Sequence, residues 1–517
     1  MNGRRLGFAL ALAGGLVGCR AADEQARAEG EDAEGTRLAA LAAAFDADDC
    51  AEVERLAKGY APSTPLRLAA VSTWLGRCLY RGDRFVDAEA VLRPVAEATR
   101  VDPHTRKALY YLGRAVYRQG RFAEAEATFV EFERRFPWDT TADDAAYHRA
   151  KARFRADDLE GARGLFEALL ARADVSRFRE AGGVFQLGRI EAASGLAATP
   201  GPDAAAISRA YAHFETVATD FADTGFHDDA VYRAARLHYD LAEYDAAEAA
   251  LSDFEAKFPD SGWREGAHYY RARAVEAAGR ADAALALYTA WAATFPEGRY
   301  RDNAAYRAGQ VHYGLAEAAT DAGVADAAYD AAAAAFEAFL RDWPNSVLKT
   351  SGAYFLGRAR YERGAYGEAR ARFAEVVADV DSAYVDNALY YTGRAHYEEA
   401  GVAGQGALEA AVAAFDDLLA RFPESSYADD AAYFRARALF RLMRNADADA
   451  AFAALSAEHP ESTYADNAVY HRVLLAVARG DCDAAATHLD TLRRTHPDSE
   501  FLPDAERAVL ACAPAGG

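Results

Sequence analysis

Apolar and polar positions along this chain follow the period of an α-helix, and the helical segments come in pairs. In one unit, apolar residues recur at 3.6-residue spacing over residues 108–117 and again over 122–136, with Gly120 between the two segments. Pro137 follows the second segment, and a proline cannot continue a helix. The unit is therefore predicted to be two helices joined by a turn.

The same unit returns about every 37 residues, marked by a small residue in the first helix, an alanine twelve positions later and an aromatic residue four positions after that. A repeat of this length is typical of a solenoid, in which each unit buries its apolar face against the next. Small residues are expected where the two helices cross, since a larger side chain would hold the backbones apart. These positions are Gly76, Gly113, Ala150, Gly188, Ala235, Ala272, Gly309, Gly357, Gly393, Ala436 and Val473.

This pattern closely resembles the tetratricopeptide repeat. The resemblance implies an all-α, right-handed tetratricopeptide-repeat superhelix (solenoid) of about twelve helix-turn-helix repeats over residues 32–502, with a C-terminal cap helix and tail at 503–517. The array leaves no segment long enough for a catalytic domain. No nucleophile, phosphate-loop or metal-ligand motif is present in the sequence either. We therefore expect no enzyme activity, cofactor or metal site.

Three intervals between small residues are longer than the rest, yet the second helix of each affected unit keeps its register. The extra residues are therefore expected in the turns at about 195–202, 318–325 and 401–406. Insertions at one repeat position lie on one face of a solenoid. They are either tolerated surface loops or a shared edge for partner contact.

The N-terminus has the pattern of an export signal. Arg4 and Arg5 precede a short apolar run at 6–16, which is too short to span a bilayer. Residues 16–19 resemble a bacterial lipobox, which implies a signal peptide at 1–18, a lipidated Cys19 and a polar tether at 19–31. An ordinary signal with a chance cysteine is the alternative. Since the next residue is not the aspartate typical of inner-membrane retention, the periplasmic face of the outer membrane is expected.

The net charge of −22 and a pI near 5.0 limit the choice of partner. Nucleic acid requires clustered basic residues, so it is excluded as a partner. The expected partners are envelope proteins or peptides, with membrane contact only through the lipid anchor. The chain is expected to be monomeric or part of a hetero-complex.

The remaining cysteines occupy equivalent places at the two ends of the array. Cys50 and Cys482 each begin a second helix, while Cys78 and Cys512 each lie in the helix that follows. Disulfides persist in an oxidising envelope compartment. We expect Cys50–Cys78 and Cys482–Cys512 bridges that restrain the ends, with unpaired buried thiols as the alternative.

Two columns of side chains mark the first helices as the candidate partner-binding groove. An aromatic column is followed four residues later, and so on the same helical face, by a cationic column. The aromatic residues are Tyr110, Tyr147, Phe185, Tyr232, Tyr269, Tyr306, Tyr354, Tyr390, Tyr433 and Tyr470. The cations are Arg114, Lys151, Arg189, Arg236, Arg273, Arg358, Arg394 and Arg437.

The cationic column has two interpretations. It either forms an internal ladder with acidic or amide residues that begin the same helices, such as Asp144, Asn387 and Asp430, or binds acidic or carboxylate-terminated peptides.

A junction motif refines the resemblance. The sequence at 422–433, FPESSYADDAAY, returns as HPESTYADNAVY at 459–470. It is similar to the repeat subtype of the outer-membrane-assembly lipoprotein (BamD-like) and Tol-Pal accessory (YbgF-like) groups. This implies a non-enzymatic, lipid-anchored protein-binding scaffold in outer-membrane assembly or envelope maintenance. The alternative is a binding module for peptidoglycan or accessory to cell-wall enzymes.

Overall fold

The structure is a computed structural model that describes residues 20–99 and 102–512. Within these residues it consists of twenty-five helices and has no strand. The predicted signal peptide, Cys19 and the tail at 513–517 lie outside the described residues. The helices divide into two compact units, one ending at Leu241 and the other beginning at Ala242.

The first unit contains eleven of the described helices, and each packs against the next in sequence. They are α1 (Arg20–Asp46), α2 (Cys50–Ala57), α3 (Pro65–Arg81), α4 (Phe85–Ala96), α5 (Pro103–Arg118), α6 (Phe122–Arg135), α7 (Ala142–Arg155), α8 (Leu159–Leu170), α9 (Arg177–Ala197), α10 (Ala204–Asp220) and α11 (His227–Asp240).

The second unit is built in the same way from fourteen described helices, and its last helix packs on the two before it. They are α12 (Tyr244–Lys257), α13 (Arg264–Ala277), α14 (Ala281–Thr294), α15 (Arg301–Ala318), α16 (Ala322–Asp342), α17 (Lys349–Glu362), α18 (Tyr366–Ala378), α19 (Val385–Ala403), α20 (Gln405–Arg421), α21 (Ala428–Arg441), α22 (Asn445–Glu458), α23 (Ala465–Ala478), α24 (Cys482–Thr495) and α25 (Leu502–Cys512).

The predicted fold class is confirmed as an all-helical repeat array, and α25 packs on the two helices before it, where the cap is expected. The second helices end where the sequence predicts, with α6 and α20 stopping one residue before a Phe-Pro pair. The first helix starts earlier than expected, because residues 20–31, predicted as a tether, are helical. Alanine, glutamate and arginine in this segment have high helix propensity even without an apolar face.

Small residues do mark the helix crossings. A Cβ atom added to Gly393 would lie 2.5 Å from Cε1 of Phe415, and one added to Gly357 would lie 2.6 Å from Cε1 of Phe373. Both rings are fully buried. The glycines therefore allow the second helix to seat a phenyl ring directly on the first helix.

At two of the three long intervals the expectation of a longer turn is wrong, since only 319–321 separate α15 from α16 and a single residue separates α19 from α20. At the first interval a longer turn is present, because 198–203 connect α9 to α10. The extra residues of the long intervals lengthen both helices of the pair: α9 and α16 have 21 residues, against 14 in α7. Gly404 alone separates α19 from α20. The inserted segments are rich in alanine, the strongest helix former, and Ala400, Ala407 and Leu408 are buried in one cluster. The three insertions are therefore extended helical hairpins.

Candidate binding surface on the first helices

The aromatic column belongs to the core of each unit. Tyr110, Tyr147, Tyr232, Tyr354 and Tyr433 are only 2–4% exposed. A ring this deeply buried cannot contact a partner. The prediction that the tyrosines line a groove is therefore corrected, and only the cations four residues later, each partly exposed, remain available for binding.

In the second unit the tyrosine column is held by a set of rings that the sequence reasoning missed. Tyr390 stacks on Tyr427 with ring centroids 4.6 Å apart, and Tyr433 stacks on Tyr464 at 4.1 Å. The partner ring lies immediately before the first helix of the following repeat. The junction motif therefore has a packing role, because its tyrosine closes the contact between neighbouring repeats.

Two arginines of the second unit are neutralised within the protein. Arg394 donates to the Tyr390 hydroxyl at 2.9 Å and to Glu398 at 3.0 Å, and its guanidinium lies 4.0 Å from the Phe434 ring centroid. Arg358 has the same arrangement, 4.0 Å from the ring of Tyr391 and 3.5 Å from Glu362. A carboxylate one helical turn later thus balances each charge.

The partners expected for an internal ladder are wrong at three positions. Asp144 pairs with Arg179, which lies outside the column. Asp430 accepts a hydrogen bond from the Tyr464 hydroxyl at 2.9 Å, and the Asn387 amide donates to the Tyr354 hydroxyl at 3.3 Å. The residues that begin the helices bind ring hydroxyls or other arginines. A ladder exists in part of the column, but tyrosines and the following glutamates form it.

In the first unit Arg236 pairs with Asp240 at 3.0 Å, whereas the other three column cations form no ion pair with a carboxylate among the described residues. Arg114 lies 4.9 Å from the Tyr80 ring, and Lys151 lies 5.5 Å from the Tyr147 ring. Arg189 lies 4.7 Å from the Phe154 ring and donates to the Gln186 side chain at 3.0 Å.

Burial and mutual repulsion shift the pKa values of two of these cations. Burial, and after it the charges of the nearby Arg189, Arg179, Arg114 and Arg155, lower the pKa of Lys151 to about 8. Burial, followed by the charge of a neighbouring arginine, lowers the pKa of Arg189 to about 10. Both shifts indicate that burying these charges, and to a smaller extent bringing them near other cations, costs free energy in the folded protein.

The sequence contains a signal for this difference. Arg358 and Arg394 are each followed four residues later by glutamate, whereas Arg114 and Lys151 are followed by Arg118 and Arg155. Residues four apart are neighbours on a helix surface. The residue four positions after a column cation therefore predicts whether the charge of that cation is neutralised.

The cysteines lie as the sequence predicts. The structure joins Cys50 to Cys78, with Cα atoms 5.2 Å apart, and Cys482 to Cys512, with Cα atoms 5.6 Å apart. Both separations suit a disulfide. Their oxidation in the cell stays a prediction.

Across 20–99 and 102–512, no helix is long and apolar enough to cross a membrane. In the same residues, no group of three or more His, Cys, Asp and Glu side chains could hold a metal ion.

Comparisons with known proteins support the repeat class. Residues 102–247 match the family YfiO, described as outer membrane lipoprotein. Two tetratricopeptide-repeat families match residues 232–299 and 387–425. No curated protein matches the chain.

Solved structures share the repeat but are distant. A tetratricopeptide repeat protein from Parabacteroides merdae is 15% identical, with a TM-score of 0.33, over 55% of this chain and 98% of its own. The C-terminal part of a repeat-containing protein from Cytophaga hutchinsonii is 17% identical, with a TM-score of 0.41, over 56% and 98%. The Cut9–Hcn1 hetero-tetramer is 11% identical, with a TM-score of 0.31, over 92% and 96%. These scores are too low to add to the family matches.

The helices and the family matches define a tetratricopeptide-repeat scaffold, a class whose members bind other proteins. Within that class, the segment at 102–247 is similar to the YfiO family of outer membrane lipoproteins, the BamD-like type. The family resemblance predicted from the junction motif is confirmed.

Proposed function

We propose that this protein is a non-enzymatic scaffold anchored by a lipid on Cys19 to the periplasmic face of the outer membrane. It holds other envelope proteins during outer-membrane assembly or envelope maintenance. The observation that carries the proposal is the match of residues 102–247 to an outer membrane lipoprotein family. The export signal and lipobox-like ending at residues 16–19 of the same sequence support it independently.

The partner contact proposed here is the cationic column of the first helices, which receives acidic or carboxylate-terminated peptides. Guanidinium groups bind carboxylates through paired hydrogen bonds. The column side chains are partly exposed, as such contacts require. The buried tyrosines would support the column without touching the partner.

Anchoring is tested by fractionating cells that carry Cys19→Ala. The variant should leave the membrane fraction or remain unprocessed, because no acyl chain can be attached. Cys78→Ser serves as the matched control and should stay with the membranes. A shortened Cys19→Ala protein that still sediments with membranes would show that the lipid anchor is wrong.

Partner capture is tested by crosslinking in the native envelope, followed by purification of the anchored protein and mass spectrometry. Envelope proteins should be crosslinked to lysines or carboxylates near the first helices. Recovery of cell-wall glycan without protein partners would instead favour a cell-wall binding module.

A further inference from the structure

Four arginines of the first unit gather around one lysine. The Lys151 cluster, as we define it, consists of Arg114, Lys151, Arg155, Arg179 and Arg189. It is carried by the first helices of three successive repeats, α5, α7 and α9. The chain as a whole carries a net charge of −22, so this concentration runs against its composition.

Aromatic rings hold the cluster together. The Tyr147 ring has Lys151 at 5.5 Å and Arg179 at 4.7 Å from its centroid, so one ring carries two cations. Lys151 also lies 5.8 Å from the Tyr117 ring. Rings fix the positions of these charges without neutralising them, since a cation–π contact leaves the net charge unchanged.

Carboxylates compensate little of this charge. Asp144 is occupied by Arg179. Asp229 lies close enough to Arg189 to interact with it, but burial and the neighbouring Asp228 raise its pKa to about 6. Among the described residues, Lys151, Arg155 and Arg114 pair with no carboxylate.

Such a cluster is costly unless something outside the chain pairs with it. A structural ladder would place a carboxylate beside each cation, as Glu362 and Glu398 do in the second unit. An unpaired, half-buried cation instead destabilises the fold. The second unit contains a smaller pair of cations, in which Arg437 and Arg441 both lie against the Tyr397 ring. There Arg441 has a hydrogen-bond partner within the protein, since it donates to the Tyr397 carbonyl oxygen at 3.1 Å.

We propose that the Lys151 cluster is the site at which the scaffold binds the carboxylates of an acidic peptide segment of its partner. The site is preformed, since rings already position its cations. The inference rests on the proposed function and narrows it: binding is concentrated on α5, α7 and α9 and not spread over the whole column.

The test is fluorescence anisotropy on the full chain in detergent, with a labelled probe peptide of alternating aspartate and alanine. The double variant Lys151→Gln with Arg155→Gln removes two cluster charges and breaks no hydrogen bond that either residue makes in the structure. We expect Kd to rise by about 10- to 100-fold, since charge-assisted contacts are the stronger kind of hydrogen bond. The salt dependence of Kd should become shallower, because fewer charges remain to be screened.

Two further double variants set the comparison. Lys257→Gln with Arg494→Gln removes two exposed charges elsewhere, and Arg358→Gln with Arg394→Gln removes two column arginines of the second unit. The Lys257/Arg494 control should leave Kd within about twofold. The second-unit variant shows whether binding extends along the column, and it should raise Kd less than the Lys151/Arg155 variant does. An amidated probe identifies the carboxylate: loss of binding assigns the peptide C-terminus, and retained binding assigns the aspartate side chains.

The outcomes separate the two proposals. If the probe binds and only the second-unit variant weakens it, the cluster inference is wrong while the acidic-peptide groove stands. If the unaltered protein does not bind the probe, both the groove and the cluster fail, whereas the lipid-anchored scaffold is unaffected. If the cluster variants bind the peptide as tightly as the unaltered protein but no longer bind phosphatidylglycerol vesicles, the ligand is a lipid surface and the inference is overturned. Arg155→Gln alone, a change at an exposed residue, repeats the test with little risk to folding.

Discussion

Removing the two disulfides should loosen the ends of the array and leave its interior unchanged. The perturbation is Cys50→Ser with Cys78→Ser at one end and Cys482→Ser with Cys512→Ser at the other. In a solenoid each repeat contacts only its neighbours. An end repeat therefore has one stabilising interface where an interior repeat has two, and a crosslink there restrains fraying.

The magnitude follows from the lengths of the closed loops. The paired cysteines are 28 and 30 residues apart in sequence. For loops of this size the chain-entropy model gives about 3.6 kcal/mol per bridge. That value is the largest expected fall in the local free energy of opening, and it corresponds to roughly 400-fold faster exchange of the protected amide hydrogens.

The assay is hydrogen exchange read by mass spectrometry, comparing the unaltered protein with each double variant. Peptides from α2–α3 or α24–α25 should exchange faster in the matching variant, while peptides from α19–α20 should not change. Non-reduced digests should first show Cys50 linked to Cys78 and Cys482 linked to Cys512. Free thiols in protein from the native compartment, or unchanged exchange at both ends, would refute the reasoning.

Four substitutions test buried titratable groups and backbone strain. Burial lowers the pKa of His471 to about 4, so the folded state loses up to about 3 kcal/mol as the pH falls from 6.5 to about 4; in His471→Phe, thermal melts across this range should lose that dependence. Met443 is exposed and has φ of 59° in a turn where Gly364 has 71°; Met443→Gly should therefore stabilise its repeat by about 1 kcal/mol, and Gly364→Met should destabilise its own. The pKa of Lys151 is lowered to about 8 in the folded state, so protonation of Lys151 destabilises the folded protein at pH values below the pKa of a free lysine side chain. Lys151→Met should therefore increase the free energy of unfolding at pH 7 by about 1 to 3 kcal/mol, and by less at pH 10. A lower melting temperature for Met443→Gly or Lys151→Met would contradict the corresponding argument.

Sequence reasoning succeeded where one repeat can be compared with the next. The spacing between Gly393 and Phe415 within a repeat predicts a helix crossing, because the same two chemical types return in other repeats. Helix ends were predictable for a similar reason, since the helical pattern before Phe422-Pro423 cannot continue through the proline.

Side-chain partners and insertions were less predictable. Asp430 shares a helix with Arg437, yet its hydrogen bond goes to Tyr464 of the following repeat. That contact depends on how repeats stack, which periodicity along the chain does not specify. The insertions were assigned to turns because register alone locates them between the helices. Only the packing of Ala407 and Leu408 shows that such residues continue the helices.

One repeat position serves different physical purposes in different repeats. In the second unit, Arg394 bonds to Glu398 and lies against the Phe434 ring of the next repeat, so its charge stabilises the contact between repeats. In the first unit, Lys151 occupies the equivalent position without an acid, and its charge is a cost to the fold. A protein with a net charge of −22 has many carboxylates with which to remove that cost. Their absence beside Lys151 is therefore best explained by a carboxylate supplied from outside. If a Lys151 variant is more stable than the unaltered protein and binds the acidic probe more weakly, then the charge of Lys151 both destabilises the fold and serves binding.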